Sequence, residues 1–392
     1  MTATTDPSHA PAPAHLTRRA GWLAIAAMFA INGSIFGLWA SRIPAFKATH
    51  DLNHAELGGL LLLLAAGAIC AFPLAGRLAD HFGAARVTKA FVLANLIFVL
   101  ALALTPNVWL LGTVLFLFGA AHGGMDVTMN AWGAEVERWA KRPQMSSYHA
   151  MWSLGAGIGA ASGFAAISLN AAPLTHYAIV GIPLTALLFW LGNIPWTSPL
   201  NRDSKAPIFS IPKGQLVLVG LLALGASMGE GAMADWSAVY LVDIGGAPEN
   251  WAAMGYAIFS VTMVIMRLLG DWITHHTSPH LAARVSGLVA ATGAALTVLF
   301  PVPQVMLVGF VMMGIGYALI FPLAFSRAAN DPHESPGKAL AGTATFGYGG
   351  MLLGPPVIGF IANATSLRVS FGVLAVLALM IAVLSGALKR EN

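Results

Sequence analysis

Charge is scarce in this 392-residue chain. Asp, Glu, Lys and Arg together make up 9% of it, against about 25% in a soluble globular domain. So few charged side chains cannot cover a water-facing surface, which excludes an ordinary soluble enzyme or binding module. Cysteine is almost missing. Cys70 stands alone, so neither an intrachain disulfide nor a cysteine metal site can form. The sequence also lacks a phosphate-binding loop, a metal-ligand cluster and a nucleophile–base motif. An enzyme is therefore not expected, and no cofactor or metal is called for. What the chain has in abundance is apolar surface, at 57% of its residues.

That apolar material falls into twelve successive runs between Gly21 and Leu388. Each is about 20 residues long, the length at which a helix rising ~1.5 Å per residue crosses roughly 30 Å of hydrocarbon. The expected fold class is an all-α membrane protein with twelve transmembrane helices. The net charge of +4 reports topology and gives no support to a nucleic-acid partner. With the N-terminus placed in the cytoplasm, seventeen of the twenty Lys and Arg residues, Arg267 among them, fall in cytoplasmic loops or helix ends. Only Arg42, Lys47 and Arg368 fall outside. This is the positive-inside pattern with both termini cytoplasmic, and it predicts a multi-pass protein of the plasma (inner) membrane.

Residues 1–17, rich in Ala, Pro and Thr, are expected to form a disordered cytoplasmic tail. No cleavable signal peptide is evident, so the first apolar run is expected to be retained as a signal anchor. A polar segment at 195–213 separates six spans (18–194) from six more (214–392). The halves echo one another: Trp39-Ala40-Ser41 is answered by Trp236-Ser237-Ala238, and Gly76-Arg77-Leu78-Ala79-Asp80 by Arg267-Leu268-Leu269-Gly270-Asp271. Two repeated halves around a midplane site form a transporter arrangement.

Between spans 2 and 3, Gly76-Arg77-Leu78-Ala79-Asp80-His81-Phe82-Gly83-Ala84-Ala85-Arg86 resembles the loop 2–3 signature of the major facilitator superfamily. The resemblance covers essentially the whole chain. It implies two pseudo-symmetric six-helix bundles, a small-molecule substrate, a monomer, and gating residues at Gly76, Asp80, Gly83 and Arg86. Asp271 marks the second, incomplete copy. Trp39-Ala40-Ser41-Arg42-Ile43-Pro44 and Asp126-Val127-Thr128-Met129-Asn130-Ala131-Trp132 resemble the branch that includes YbjJ and MosC, the latter associated with an inositol-derived amine. Asp126-x-x-x-Asn130 is also similar to the helix 4 pattern of fucose–proton symporters, with Asp in place of Glu. That resemblance implies a proton carried at Asp126.

Ionisable side chains at membrane depth are costly and usually face a protein interior or a wet path. His122, Asp126 and Asn130 are spaced i, i+4, i+8 on one helix face, where His122 and Asp126 could share a hydrogen bond. Asp126, Glu230 and His122 are the expected proton-coupling groups, with His149 within reach of them. Glu230, between Gly229 and Gly231, is also a candidate for the substrate. Asp235 lies about 140° around the same helix, so the two acids are not expected to face the cavity together. Arg42 is the expected partner of Asp235. Asn32, Phe36 and Trp39 share a face of helix 1. Amide and ring together suit a polyol, and Asn130, Trp152, Trp236, Tyr317, Phe321 and Tyr348 are further candidate substrate contacts. Gly155, Gly159 and Gly163 read as a helix-packing stripe, and Gly350-x-x-x-Gly354-Pro355-Pro356 as a bend.

These features predict alternating access with proton-coupled uptake of a small hydroxylated solute, such as a sugar, inositol or amino-polyol. A proton-driven exporter and a sensor without turnover remain alternatives.

Overall fold

The computed structural model describes residues 16–141, 144–200, 212–334 and 336–389. Most of the expected tail and the centre of the 195–213 linker lie outside the described residues. Twelve helices are long and apolar enough to cross a membrane: α1 (Arg18–Thr49), α2 (His54–Phe82), α3 (Ala84–Leu102), α4 (Val108–Ala140), α5 (Ser147–Ser168), α6 (Pro173–Gly192), α7 (Gln215–Asp243), α8 (Glu249–Gly270), α9 (Pro279–Leu299), α10 (Pro303–Ala328), α11 (Gly342–Ala364) and α12 (Leu367–Leu388). Among the described residues there is no strand. Leu93, Ile97, Leu268, Val376 and Val383 are exposed on the outer surface, as helices surrounded by lipid require.

The helices form two six-helix bundles, α1–α6 and α7–α12, which meet along two seams, α2 against α11 and α5 against α8. Within each bundle the tightest pair packs through small residues. A Cβ on Gly33 or Gly37 of α1 would collide with the Trp152 or Ala156 carbonyl of α5. One on Gly155 or Gly159 would collide with Ala30 or Ser34. In the second bundle, α7 and α11 repeat the arrangement at Gly231, Gly350 and Gly354. Close backbone approach of this kind is how helices gain contact where lipid offers no hydrophobic drive. The stripe expected on helix 5 is therefore a packing seam.

Helix ends have local causes. Asn53 opens α2 with a capping box: its Oδ1 accepts the Glu56 amide at 2.9 Å, while Glu56 Oε2 accepts the Asn53 amide at 2.9 Å. Gly83 alone joins α2 to α3 with φ +90 and ψ 135, a conformation essentially reserved for glycine. Ser198 packs on it, and its Oγ accepts the Ala85 amide at 3.0 Å. Helix α6 passes through a π-helical turn, Tyr177–Gly181, just before Pro183, where the proline removes a backbone donor. Inside α11, Pro355 and Pro356 deprive the Met351 and Leu352 carbonyls of their donors. After α10, Asp331 pairs with Arg327 at 2.8 Å. Desolvation pushes the Asp331 carboxyl up. The His333 amide, then Arg327, then the Glu334 amide outweigh it and hold the group below its ordinary value.

Candidate functional site

The start of α1, the end of α6, the start of α7 and the end of α12 lie at one end of the bundles, called here the terminus end; Lys47, His54 and Asp243 lie at the other, called here the far end. Two contiguous cavities between the bundles form one chamber. The compartment nearer the termini is walled by Phe72, Asp126, His149, Arg267, Phe321 and Tyr348, and encloses about 760 Å³ counting its open mouth. The far-side compartment is walled by Phe36, Asp235, Tyr256, Phe259, Ser260 and Pro355. His122, Trp152 and Glu230 line both.

Helix α4 supplies Asp126. It runs from Val108 to Ala140, which places Asp126 near its middle. Asn130 Nδ2 donates to the Asp126 backbone carbonyl at 2.9 Å and to its Oδ1 at 3.2 Å. Tyr348, from α11 of the other bundle, faces the same carboxylate across the chamber. No bond joins His122 to Asp126, contrary to expectation; His122 Nδ1 is buried without a partner, and its ring packs on Phe36 at 5.2 Å. The i+4 spacing brought Asn130, not His122, to the acid.

Helix α7 supplies Glu230, buried and engaged. Arg267 of α8 donates through Nη2 to both carboxylate oxygens, at 3.2 and 3.1 Å. Through Nη1 it donates to Ser153 Oγ of α5 at 2.6 Å, which crosses between the bundles. Arg267 was counted among the cytoplasmic helix-end charges; in fact it lies in the chamber. Tyr256, Ser260, Met263 and Arg267, spaced four, three and four residues apart, form one face of α8. That polar stripe was the available signal.

Asp235 corrects two further expectations. It lines the far-side compartment together with Glu230, because the lobe extends along the helix and takes both acids at different depths. Its partner is not Arg42. Helix α1 breaks at Ser41–Arg42, and the buried Arg42 turns into its own bundle, where Nε donates to His176 Nδ1 at 3.1 Å and Nη2 to the Ala171 carbonyl at 2.6 Å.

The remaining candidates divide. Phe36, Trp152, Phe321 and Tyr348 face the chamber. Asn32 stands behind it: its Oδ1 accepts the Trp152 indole at 2.7 Å, and its Nδ2 donates to the His122 carbonyl at 3.3 Å, so it positions two chamber residues. Asn130 acts through Asp126. Trp39 is buried against Phe46 inside its bundle. Trp236 donates to the Pro355 carbonyl at 2.8 Å. Tyr317 donates to the Leu374 carbonyl at 3.4 Å. These three rings are occupied in packing, and none lines the chamber.

At the far end Asp243 of α7 accepts from Lys47 at 2.9 Å and pairs with His54 at 3.0 Å, joining the bundles. Asn250 Nδ2 adds a bond to Ser168 Oγ at 3.2 Å. Gly58 and Gly359 nearly touch there. At the terminus end, Asp80 is half-buried and Arg86 exposed. Among the described residues no ion pair joins either to the second bundle. Gly76 has open space where a Cβ would sit. Asp271 falls within the helix that continues α8, and its side chain lies outside the described residues.

A model of the Major Facilitator Superfamily matches residues 22–341. Transporter y4wD of Sinorhizobium fredii, itself uncharacterized, is 44% identical over 370 residues, covering 94% of this chain and 98% of that protein. Membrane protein MosC of Rhizobium meliloti is 31% identical over 353 residues, covering 88% and 84%. The solved structure of the E. coli fucose:proton symporter FucP shares the fold, with a TM-score of 0.62 at 14% identity over 94% of this chain and 98% of that one. The chain therefore belongs to the major facilitator superfamily: it is an integral multi-pass transporter, not an enzyme.

Proposed function

We propose that the protein is a monomeric proton symporter that takes up a small hydroxylated solute, such as a sugar, inositol or amino-polyol, across the inner membrane, with both termini cytoplasmic. The observation that carries this reading is the position of Asp126, which lines the chamber, bonds to Asn130 of its own helix and faces Tyr348 of the opposite bundle. An ionised carboxylate can accept from both groups. A proton on it turns an acceptor into a donor and loosens the tie between α4 and α11. Occupancy by a proton and the relative position of the bundles are then linked through differential affinity. The shared fold with a fucose:proton symporter supports the same reading, as does a chamber that pairs aromatic plates with a few polar groups. The far-end ion pairs, with none across the terminus end among the described residues, fit a cytoplasm-facing state.

The test uses proteoliposomes with an inward proton gradient and labelled fucose, inositol and amino-polyols. Wild type should accumulate a solute only with the gradient, while Asp126→Asn should retain counterflow but lose gradient-driven accumulation. Accumulation that ignores the gradient, equal in both proteins, overturns the proposal.

A further inference from the structure

Three of the four charged side chains in the chamber have partners. Glu230 is matched by Arg267, and Asp126 is held by Asn130. Asp235 differs: its side chain is buried, it lines the far-side compartment, and its Oδ1 has no hydrogen-bond partner. One guanidinium stands against three carboxylates among the lining residues, leaving an excess of two negative charges when all are ionised. A coupling proton on Asp126 cancels one of them. The other rests on Asp235, and a buried charge needs a counter-charge.

The wall around that compartment suits a cation. Trp152 and Phe36 of the first bundle lie 6.1 Å apart by ring centroids, Phe36 and Tyr256 of the second 6.4 Å, and Tyr256 and Phe259 6.2 Å. They form a continuous run of rings drawn from both bundles. Ring faces attract ammonium groups, most strongly where water is excluded. Arg267, which would repel a cation, lines the other compartment and is neutralised by Glu230.

We infer that the far-side compartment is a binding site for an organic ammonium group, with Asp235 as its counter-ion and the Trp152–Phe36–Tyr256–Phe259 run as its wall. The inference narrows the proposed substrate class to amine-bearing hydroxylated solutes, and so rests on the proposed transport reading. Hydroxyl groups of such a solute would meet His122 and the compartment nearer the termini, while its amine points to the far end.

The test compares matched probes that differ only in an amine for a hydroxyl: glucamine against sorbitol, and an aminocyclitol against its cyclitol, with butylammonium as a bare cation. Affinity is read by thermal shift of the purified full chain. Wild type should bind the amine of a pair at least about tenfold more tightly, the worth of one charge-assisted contact. Asp235→Asn should bring the two members of the pair together, and Phe36→Leu should reduce the amine preference in part. Equal binding of amine and alcohol by wild type overturns the ammonium site and leaves hydroxylated-solute symport standing. Binding of butylammonium without any polyol overturns the hydroxylated substrate and leaves the ammonium site standing. If Asp235→Asn keeps the amine preference, or if no probe binds, the assignment fails. The wild-type comparison decides even where a variant does not fold.

Discussion

Arg267 shows how a single side chain can have two different meanings in sequence and in space. As one of twenty basic residues it fits the topology count. Inside the chamber it satisfies Glu230 with two hydrogen bonds and reaches Ser153 across the bundle interface. Removing one member of a buried pair strands the other charge, at a cost of about 3–5 kcal/mol, whereas replacing both can be nearly neutral. Arg267→Met should therefore lower thermal stability sharply, and the double change Arg267→Met with Glu230→Gln should recover most of the loss. Denaturation of the wild type and the two purified variants checks this; a double variant no better than the single one would show that the pair is not the reason. The pairing of Asp235 was misassigned for a similar reason. Arg42 and Asp235 occupy matching ends of related helices, but the break at Ser41–Arg42 turns the guanidinium towards His176. Pro44 marks the break in the sequence, but not the side to which the guanidinium turns. Asp126 and Glu230 were legible because an acid within an apolar run must face something other than lipid. The neighbours from the opposite bundle, Tyr348 beside Asp126 and Ser153 on the Arg267 that holds Glu230, were not, because only tertiary packing brings them near.

Among the elements, the α2–α3 connection permits a clean contrast. Gly83 and Gly76 both belong to the loop 2–3 signature, yet only one is under conformational demand. At Gly83 the φ of +90 is hostile to any side chain, and an added Cβ would also press on Ser198 at 3.1 Å. At Gly76, inside a helix, nothing lies within 4 Å. Gly83→Ala should therefore destabilise the protein by about 1–3 kcal/mol. Gly76→Ala should be neutral or stabilising by up to about 1 kcal/mol, since alanine is the better helix former. Thermal unfolding of the two variants gives the ranking, and the reverse order would contradict the geometry. Existence and order of the helices were plain from hydropathy. Their ends were less so: α4 outruns its apolar run because packing, rather than composition, carries its last turns.

On the scale of the whole molecule, the two seams between bundles are tied unequally along their length. Lys47, His54 and Asp243 clasp the far end, while the signature residues Asp80 and Arg86 make no ion pair across the terminus end among the described residues. An exposed ion pair contributes little by itself, but a molecule that alternates between two states, as proposed for this transporter, would respond to a bias of even ~1 kcal/mol. Spin labels at Thr49 and Glu249, both exposed at the far end, would report the distance between bundles in a Cys70→Ser background. Asp243→Asn should move part of the population to longer distances; an unchanged distribution would mean that the clasp does not set the resting state. The two-bundle architecture was readable from the repeated phrases and the central polar segment. The choice of state was not, because it depends on contacts between side chains far apart in the chain.

The indole N–H of Trp236 donates a hydrogen bond to the carbonyl of Pro355 within a stretch where two prolines have already weakened the ladder of α11. This stitches α7 to α11 at the very place where α11 would otherwise flex most easily. In the proposed transport cycle the pair would travel as one stiff plank, and the shearing that opens a path to solvent would fall on the surfaces where α11 meets α2 and α8 meets α5. A solute seated against both bundles would feel that sliding directly, much as a key feels a cylinder turn.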